Sequence, residues 1–202
     1  EMKLKNKTTA WVAVAITLVI VSIIGGFLFK DYLYDVVYPP FEETTIFQDD
    51  SRENPADTTF TVNGVAIKMI GVKGGKINCK KLRKTIELDD FYIGETEVTQ
   101  ELWVAIMGDN PSVHKDSLLC PVENVSLLDC ADFVNKLDSV SGIKFYLQSY
   151  PEWLYAAHLG IKDANTLCYD ESLSWCKDNS DGITHPVKQK KPNALGVYDM
   201  VG

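Results

Sequence analysis

The chain has few residues of the kinds that bind nucleic acid or build the common metal sites. Its formal net charge is -8, so it lacks the excess of lysine and arginine that would neutralise a phosphate backbone. Its three histidines, His114, His158 and His185, are too scattered for a recognisable metal motif. There is no Cys-x-x-Cys pair and no glycine-rich phosphate loop. We therefore expect no nucleic acid partner, no zinc ribbon and no nucleotide-binding domain.

Cysteine is present in an odd number. The five residues are Cys79, Cys120, Cys130, Cys168 and Cys176. An exported location would permit one or two disulfides, and buried free thiols fit the pattern equally well. The pairing stays open at this point.

Charged side chains are also missing from residues 8–29, and this absence is the first indication of a specific structure. These 22 residues are mostly Val, Ile, Ala, Leu and Phe, and as a helix they would span about 33 Å, enough for a bilayer core. Lys3, Lys5 and Lys7 precede the run, and Asp31 and Asp35 follow it. By the positive-inside rule this predicts a single-pass anchor in residues 1–37 with a cytoplasmic N-terminus and a periplasmic or extracellular domain. A cleaved signal peptide is the alternative, although no convincing cleavage site follows Phe29.

Two regions follow the apolar run. Residues 38–59 are polar and rich in turn formers, which predicts a flexible spacer, and residues 60–202 have the composition of one folded domain. Asn63-Gly64 separates two apolar runs, the pattern of a β-hairpin. Further short strands are expected near Ile86 and over Phe91–Ile93.

Three helices are predicted from their end signals. Thr99 caps a helix over Gln100–Met107 that Gly108 ends, and Ser126 with Asp129 forms a capping box for a helix to about Asp138. In that second helix Leu127, Cys130, Ala131, Val134 and Leu137 form the predicted buried face. Ser149 and Glu152 form another capping box for a helix that ends at Gly160, with Trp153 buried at its start. Short strands and compact helices without βαβ alternation indicate an α+β fold.

Five motifs then carry a resemblance. In order along the chain they are Asp89–Gln100, Pro121–Ser126, Glu152–Ala157, His185–Val187 and Asn193–Met200. Their order and spacing resemble the formylglycine-generating enzyme family, also called sulfatase-modifying factors. The resemblance implies an α+β, C-type-lectin-like domain with little regular secondary structure over residues 60–202. It also implies that the family's Asn-Val-Trp-Glu-Trp tract and catalytic cysteines come after Gly202, so that the domain is incomplete at its C-terminal end.

The chain departs from the family in the segment Tyr146–His158. The family usually has an arginine where Tyr146 stands, a proline at Gln148 and an arginine at His158. These changes indicate a divergent copy. Glu95 and Glu97 alternate along a predicted strand, and we interpret them as a solvated face rather than a catalytic pair.

The resemblance implies metal ligands as well. A family calcium ion would take the side chain of Asp199 and the backbone carbonyl of Gly202, and a second calcium loop would include Asp181. An ordinary Asp-Gly turn is the alternative for Asp181. Carboxylate and carbonyl oxygens are ligands that calcium prefers. The resemblance also implies two family cysteines that would bind copper(I), since soft thiolate ligands select this ion. None of the five cysteines in this chain matches that pair.

Two functions follow from the resemblance. In the first, the complete domain is an oxidase that converts a sulfatase cysteine to formylglycine. In the second, it is a catalytically inactive, lectin-like binding or structural module of a bacterial cell envelope. The expected partners are the lipid bilayer through residues 8–29 and a sulfatase or another envelope protein.

Overall fold

The computed structural model describes residues 45–47, 51–79, 82–159 and 171–201. The predicted anchor at residues 8–29 and the residues Cys168 and Gly202 lie outside these ranges. Within them, no helix combines the length and the apolar character needed to cross a bilayer. The limits predicted for the anchor and the spacer stay predictions.

Strands of the described residues form two antiparallel sheets of three strands each, ordered β1-β4-β5 and β2-β3-β6. The strands are β1 (Thr45–Phe47), β2 (Thr58–Val62), β3 (Val65–Val72), β4 (Lys76–Cys79), β5 (Lys84–Glu87) and β6 (Phe91–Gly94). The hairpin at Asn63-Gly64 is confirmed, with φ of 49° and 85° at the two turn residues. Strand β4 follows Gly74-Gly75, where the family resemblance implies a short strand, whereas the sequence did not predict β1.

Helices α1 (Gln100–Met107), α2 (Leu127–Ser141) and α3 (Tyr150–His158) begin where predicted. Both capping boxes form, with the Ser126 and Ser149 hydroxyls accepting from the N3 backbone. The end of α2 lies three residues beyond the predicted one, because Gly142 rather than an earlier residue takes the left-handed conformation that closes the helix. Together with the sheets, these helices make the α+β fold expected from the sequence.

Buried residues fall into two cores on opposite faces of β3. Ile67 and Met69 face the core with α1 and α2, whereas Ile70 and Val72 face the core with α3. This follows from the alternation of side chains along a strand. In the first core Trp103 stacks on the Phe133 ring with centroids 5.0 Å apart. The C-terminal half of β3 is thus buried on both faces and contacts both helical layers.

Two burial predictions fail at helix starts. Leu127 is 62 % exposed, because as the first residue of α2 it precedes the turn whose Cys130 and Val134 reach the core. Trp153 is only half-buried and stacks on Tyr150. The residues that fill the second core from α3 are instead Leu154, Tyr155, Ala156 and Ala157.

Residues 51–57, here named the N-terminal strap, lie against the end of β3. Asp57 Oδ1 accepts from the Gly71 backbone at 3.2 Å, and Asn54 Oδ1 accepts from the Lys73 backbone at 3.1 Å. Arg52 donates two hydrogen bonds to Asp90, at 3.0 and 3.2 Å. The described parts of the range 38–59 are thus β1, the strap and the first two residues of β2, and all three are attached to the domain.

The close approach of the strap requires a glycine in β3. A Cβ built at Gly71 would lie 2.1 Å from the Pro55 carbonyl oxygen, and a backbone atom cannot rotate away. We predict that Gly71→Ala lowers the Tm by about 3–9 °C, the range expected when overpacking costs about 1–3 kcal/mol.

The matched control is Gly142→Ala, where a Cβ meets open space and only the left-handed φ of 70° is strained. Circular dichroism melts of both variants give the comparison. A Gly71→Ala melt equal to that of the wild type, or a smaller loss than for Gly142→Ala, would show that the strap is not packed as described.

Candidate functional site

Carboxylates gather where β6 ends. Glu95 follows the strand directly, and its backbone joins two distant segments, because its N–H donates to the Lys68 carbonyl and its carbonyl accepts from the Tyr198 N–H, both at 2.9 Å. This second bond places the turn at Tyr198-Asp199-Met200 beside the residues after β6. The motif containing Glu95 and the motif containing Asp199 are therefore neighbours in the fold.

Glu95 is the centre of an ion network. Its side chain is 13 % exposed and pairs with the Lys68 ammonium at 2.9 Å and with the Lys188 ammonium. Burial alone would raise the pKa of Glu95, but the hydrogen bonds from Lys188 and Lys68 outweigh it and lower the pKa. The interpretation of Glu95 as part of a solvated face is wrong, because two lysines from other segments enclose its carboxylate.

Glu97 has the opposite environment. The residue as a whole is partly exposed, but its carboxyl is surrounded by protein atoms. This burial raises the pKa of Glu97 to about 8, and the charge of Asp199 acts in the same direction to a smaller extent. No described residue donates a hydrogen bond to this carboxyl. The solvated-face interpretation is therefore wrong for Glu97 too, and at neutral pH its carboxyl is mainly protonated unless a cation compensates it.

Asp199 lies in a tight turn with φ of 53°. Its Oδ2 accepts from the Lys188 backbone at 2.9 Å, whereas its Oδ1 is buried and has no hydrogen-bond partner among the described residues. Burial raises the pKa of Asp199, against the lowering effects of the Lys188 backbone and the Lys190 charge. A buried carboxylate oxygen without a donor is costly, so this atom is suited to a ligand.

Asn193 fixes the turn on α3. Its Oδ1 accepts from the backbones of Leu195 and Val197 at 3.0 and 3.2 Å, and its Nδ2 donates to the Ala156 carbonyl at 2.8 Å. All of its amide atoms are used within the protein, so its role is to position the turn. A small pocket beside Asp199 is lined by Asn193, Ala157 and Val197.

The Asp199 turn fits a hard cation better than a soft one. Its unpartnered Oδ1 and the nearby Glu97 carboxyl are oxygen donors of the kind that calcium takes. In the described part of the chain, no three His, Cys, Asp or Glu side chains form a group able to hold a metal ion. The described side chains would thus supply two carboxylates to a bound cation. Gly202, whose carbonyl is the other expected ligand, lies outside the described residues.

Asp181 lies in a separate turn, is exposed and has φ of 54°. The Ser180 carbonyl next to it accepts from the Ile183 backbone and from His185 Nε2, each at 3.1 Å. The His185 ring stacks on Trp175 with centroids 3.8 Å apart. These contacts give the Asp-Gly turn a fixed shape, and the assignment of Asp181 as a ligand stays a prediction.

Four described cysteines are free thiols. Cys79, Cys120 and Cys130 are buried, and Cys176 is partly exposed. Burial raises the pKa of Cys130 to about 11 and also raises that of Cys120. A thiol must lose its proton to ligate a metal or attack a substrate, so these two are poorly suited to either role.

Sequence reasoning named Asp199 and missed its neighbours. No local sequence pattern links Glu97 or Lys188 to the turn that contains Asp199. The one available signal was that Glu97 and Asp199 both belong to motifs shared with the family. That signal places them in the same domain but does not bring them together.

Comparison with known proteins identifies the family of the domain. A curated relative, the "Chaperone protein LppX" of Paenibacillus barcinonensis, is 29 % identical over 196 residues, covering 68 % of this chain and 69 % of the relative. The solved structure of Treponema denticola variable protein 1 superposes with a TM-score of 0.63 at 29 % identity, covering 73 % of this chain and 74 % of that one. The family model for the sulfatase-modifying factor enzyme 1-like domain matches residues 52–202. The chain therefore belongs to the sulfatase-modifying factor enzyme 1-like (FGE-sulfatase) family.

Proposed function

We propose that this chain is a catalytically inactive binding module built on the formylglycine-generating-enzyme fold, with a C-type-lectin-like use of its loops. The observation that carries the proposal is the contrast between its thiols and its carboxylates. Cys120 and Cys130 are buried with raised pKa values, whereas Asp199 has a buried oxygen to which no residue in the described part of the chain donates. The described chemistry favours holding a hard ligand over thiolate redox chemistry.

Calcium is the ligand we propose for the Asp199 turn. Asp199 and Glu97 would hold the ion together with the Gly202 carbonyl, and Asp181 would belong to a second calcium turn. Calcium would supply the positive charge that two neighbouring carboxylates lack, and would thereby fix the turn as a rigid edge of the binding surface.

The partner we propose is a protein of the bacterial cell envelope. One relative carries the name of a chaperone, which supports a role in contacting another protein. Residues 8–29 would hold the domain at the membrane, where such partners are concentrated. A sulfatase is one such partner.

Calcium binding gives the first test. For the full chain in detergent, we predict that saturating calcium raises the Tm by about 3–8 °C, because a ligand that binds only the folded state stabilises it by mass action. Asp199→Gly should abolish the shift, since glycine keeps the positive φ and removes the carboxylate. Asp178→Asn is the control, because Asp178 is an exposed carboxylate in the same segment.

Magnesium serves as the second control, since it demands a smaller octahedral site. If the calcium shift survives in Asp199→Gly, or disappears equally in Asp178→Asn, the Asp199 turn does not bind the ion. A shift removed only by Asp181→Asn would move the site to the second turn.

The oxidase is the competing function, and the family's name is the observation that favours it. We predict that the full chain forms no aldehyde when incubated with copper(I), oxygen, a reductant and a sulfatase-motif peptide containing cysteine. The peptide mass is the measurement. An aldehyde product that disappears in Cys176→Ser or Cys168→Ser would establish the oxidase and refute the binding module.

A further inference from the structure

Asn63-Gly64 is the one Asn-Gly pair in the sequence. It forms the exposed tip of the β2–β3 hairpin, with both residues at positive φ. A Cβ added at Gly64 would have no atom within 4 Å. The peptide nitrogen that follows Asn63 is thus free of the steric protection that a side chain at Gly64 would give.

The Asn63 side chain also touches another element. Its Nδ2 donates to the Ala105 carbonyl at 2.7 Å. Ala105 lies in the last turn of α1, where carbonyls have no donor within the helix, and the neighbouring Val104 carbonyl accepts from Gly108 at 2.9 Å. The amide of Asn63 therefore acts as a C-terminal cap of α1 supplied from the hairpin.

We propose that Asn63 is a site of spontaneous deamidation, and that this modification removes the cap. The Gly64 backbone nitrogen loses its proton and attacks the Asn63 Cγ, a ring of five atoms closes, and ammonia leaves with the side-chain nitrogen. Water then opens the succinimide at either carbonyl, which yields aspartate or isoaspartate. No oxidant or reductant is needed. Because the bond to Ala105 holds the amide, the reaction proceeds when the hairpin tip opens from α1.

The product cannot restore the contact. A carboxylate at residue 63 has no hydrogen to donate to the Ala105 carbonyl and would face the negative end of the α1 dipole. Isoaspartate would also add a backbone atom between Val62 and Val65, which pair across the hairpin. Deamidation thus turns a stabilising contact into a repulsive one, next to the helix that carries the buried Trp103.

Asn124 provides a matched control within the same chain. It is exposed, has φ of 60°, and its Nδ2 donates to the Pro111 carbonyl at 3.0 Å. Its successor is Val125, whose branched side chain obstructs attack by the backbone nitrogen. The two asparagines thus differ in how freely the following backbone nitrogen can reach the side-chain Cγ, which is what the reaction requires.

The test ages the folded full chain in detergent at mildly alkaline pH and follows the peptides that contain Asn63 and Asn124 by mass spectrometry. A urea-unfolded sample is aged in parallel. We expect progressive loss of the Asn63 peptide to its aspartate and isoaspartate forms, while the Asn124 peptide stays unmodified. The aged chain and Asn63→Asp should both melt about 2–6 °C below the fresh wild type, and Asn63→Gly should lose less.

Two results would overturn the proposal. One is an Asn63 peptide that stays intact in the folded chain while it converts fully in the unfolded one, since the fold would then exclude the reaction. The other is a deamidated chain whose Tm equals that of the unmodified protein. If Asn63→Asp does not fold, the aged wild type and Asn63→Gly still decide the outcome.

Discussion

The ion network around Glu95 is the interaction on which the candidate site depends. Its carboxylate joins Lys68 on β3 to Lys188 in the C-terminal segment, and its carbonyl accepts from Tyr198. The lysines are half-exposed, so solvent screens each ion pair and its contribution to stability is small. The carboxylate itself is 13 % exposed, however, and a charge so enclosed is strongly destabilising without partners. The network therefore fixes the position of the C-terminal segment relative to β3 more than it adds to the stability of the fold.

This placement brings the carboxyl groups of Glu97 and Asp199 close enough for the charge of one to affect the other. Lys188 pairs with Glu95 through its ammonium and donates its backbone N–H to Asp199, and these contacts link the turn to the segment that contains Glu95 and Glu97. A proton on Glu97 or a bound cation relieves the repulsion. A bound cation would displace the proton from Glu97, and this competition is the physical basis of the calcium binding that we propose.

Local features of this fold were readable from the sequence, and long-range ones were not. The Asn63-Gly64 hairpin and the caps at Thr99, Ser126 and Ser149 are set by residues within a few positions of one another. Strand β1 and the N-terminal strap looked like a spacer, because their contacts are with β4, Gly71 and Lys73 rather than with neighbours. Asp199 was found through a shared motif, whereas its relation to Glu97 required the fold.

Glu97 and Asp199 are partly buried carboxyl groups that influence each other's charge, and the titration of Glu97 is the sharpest measurement of that relation. Carboxyl carbon chemical shifts of the calcium-free full chain, assigned by difference from Glu97→Gln, would be followed by NMR across neutral pH. We expect a midpoint near pH 8 that moves down when calcium is added. A midpoint near the ordinary value of about 4.3, unaffected by calcium, would contradict it.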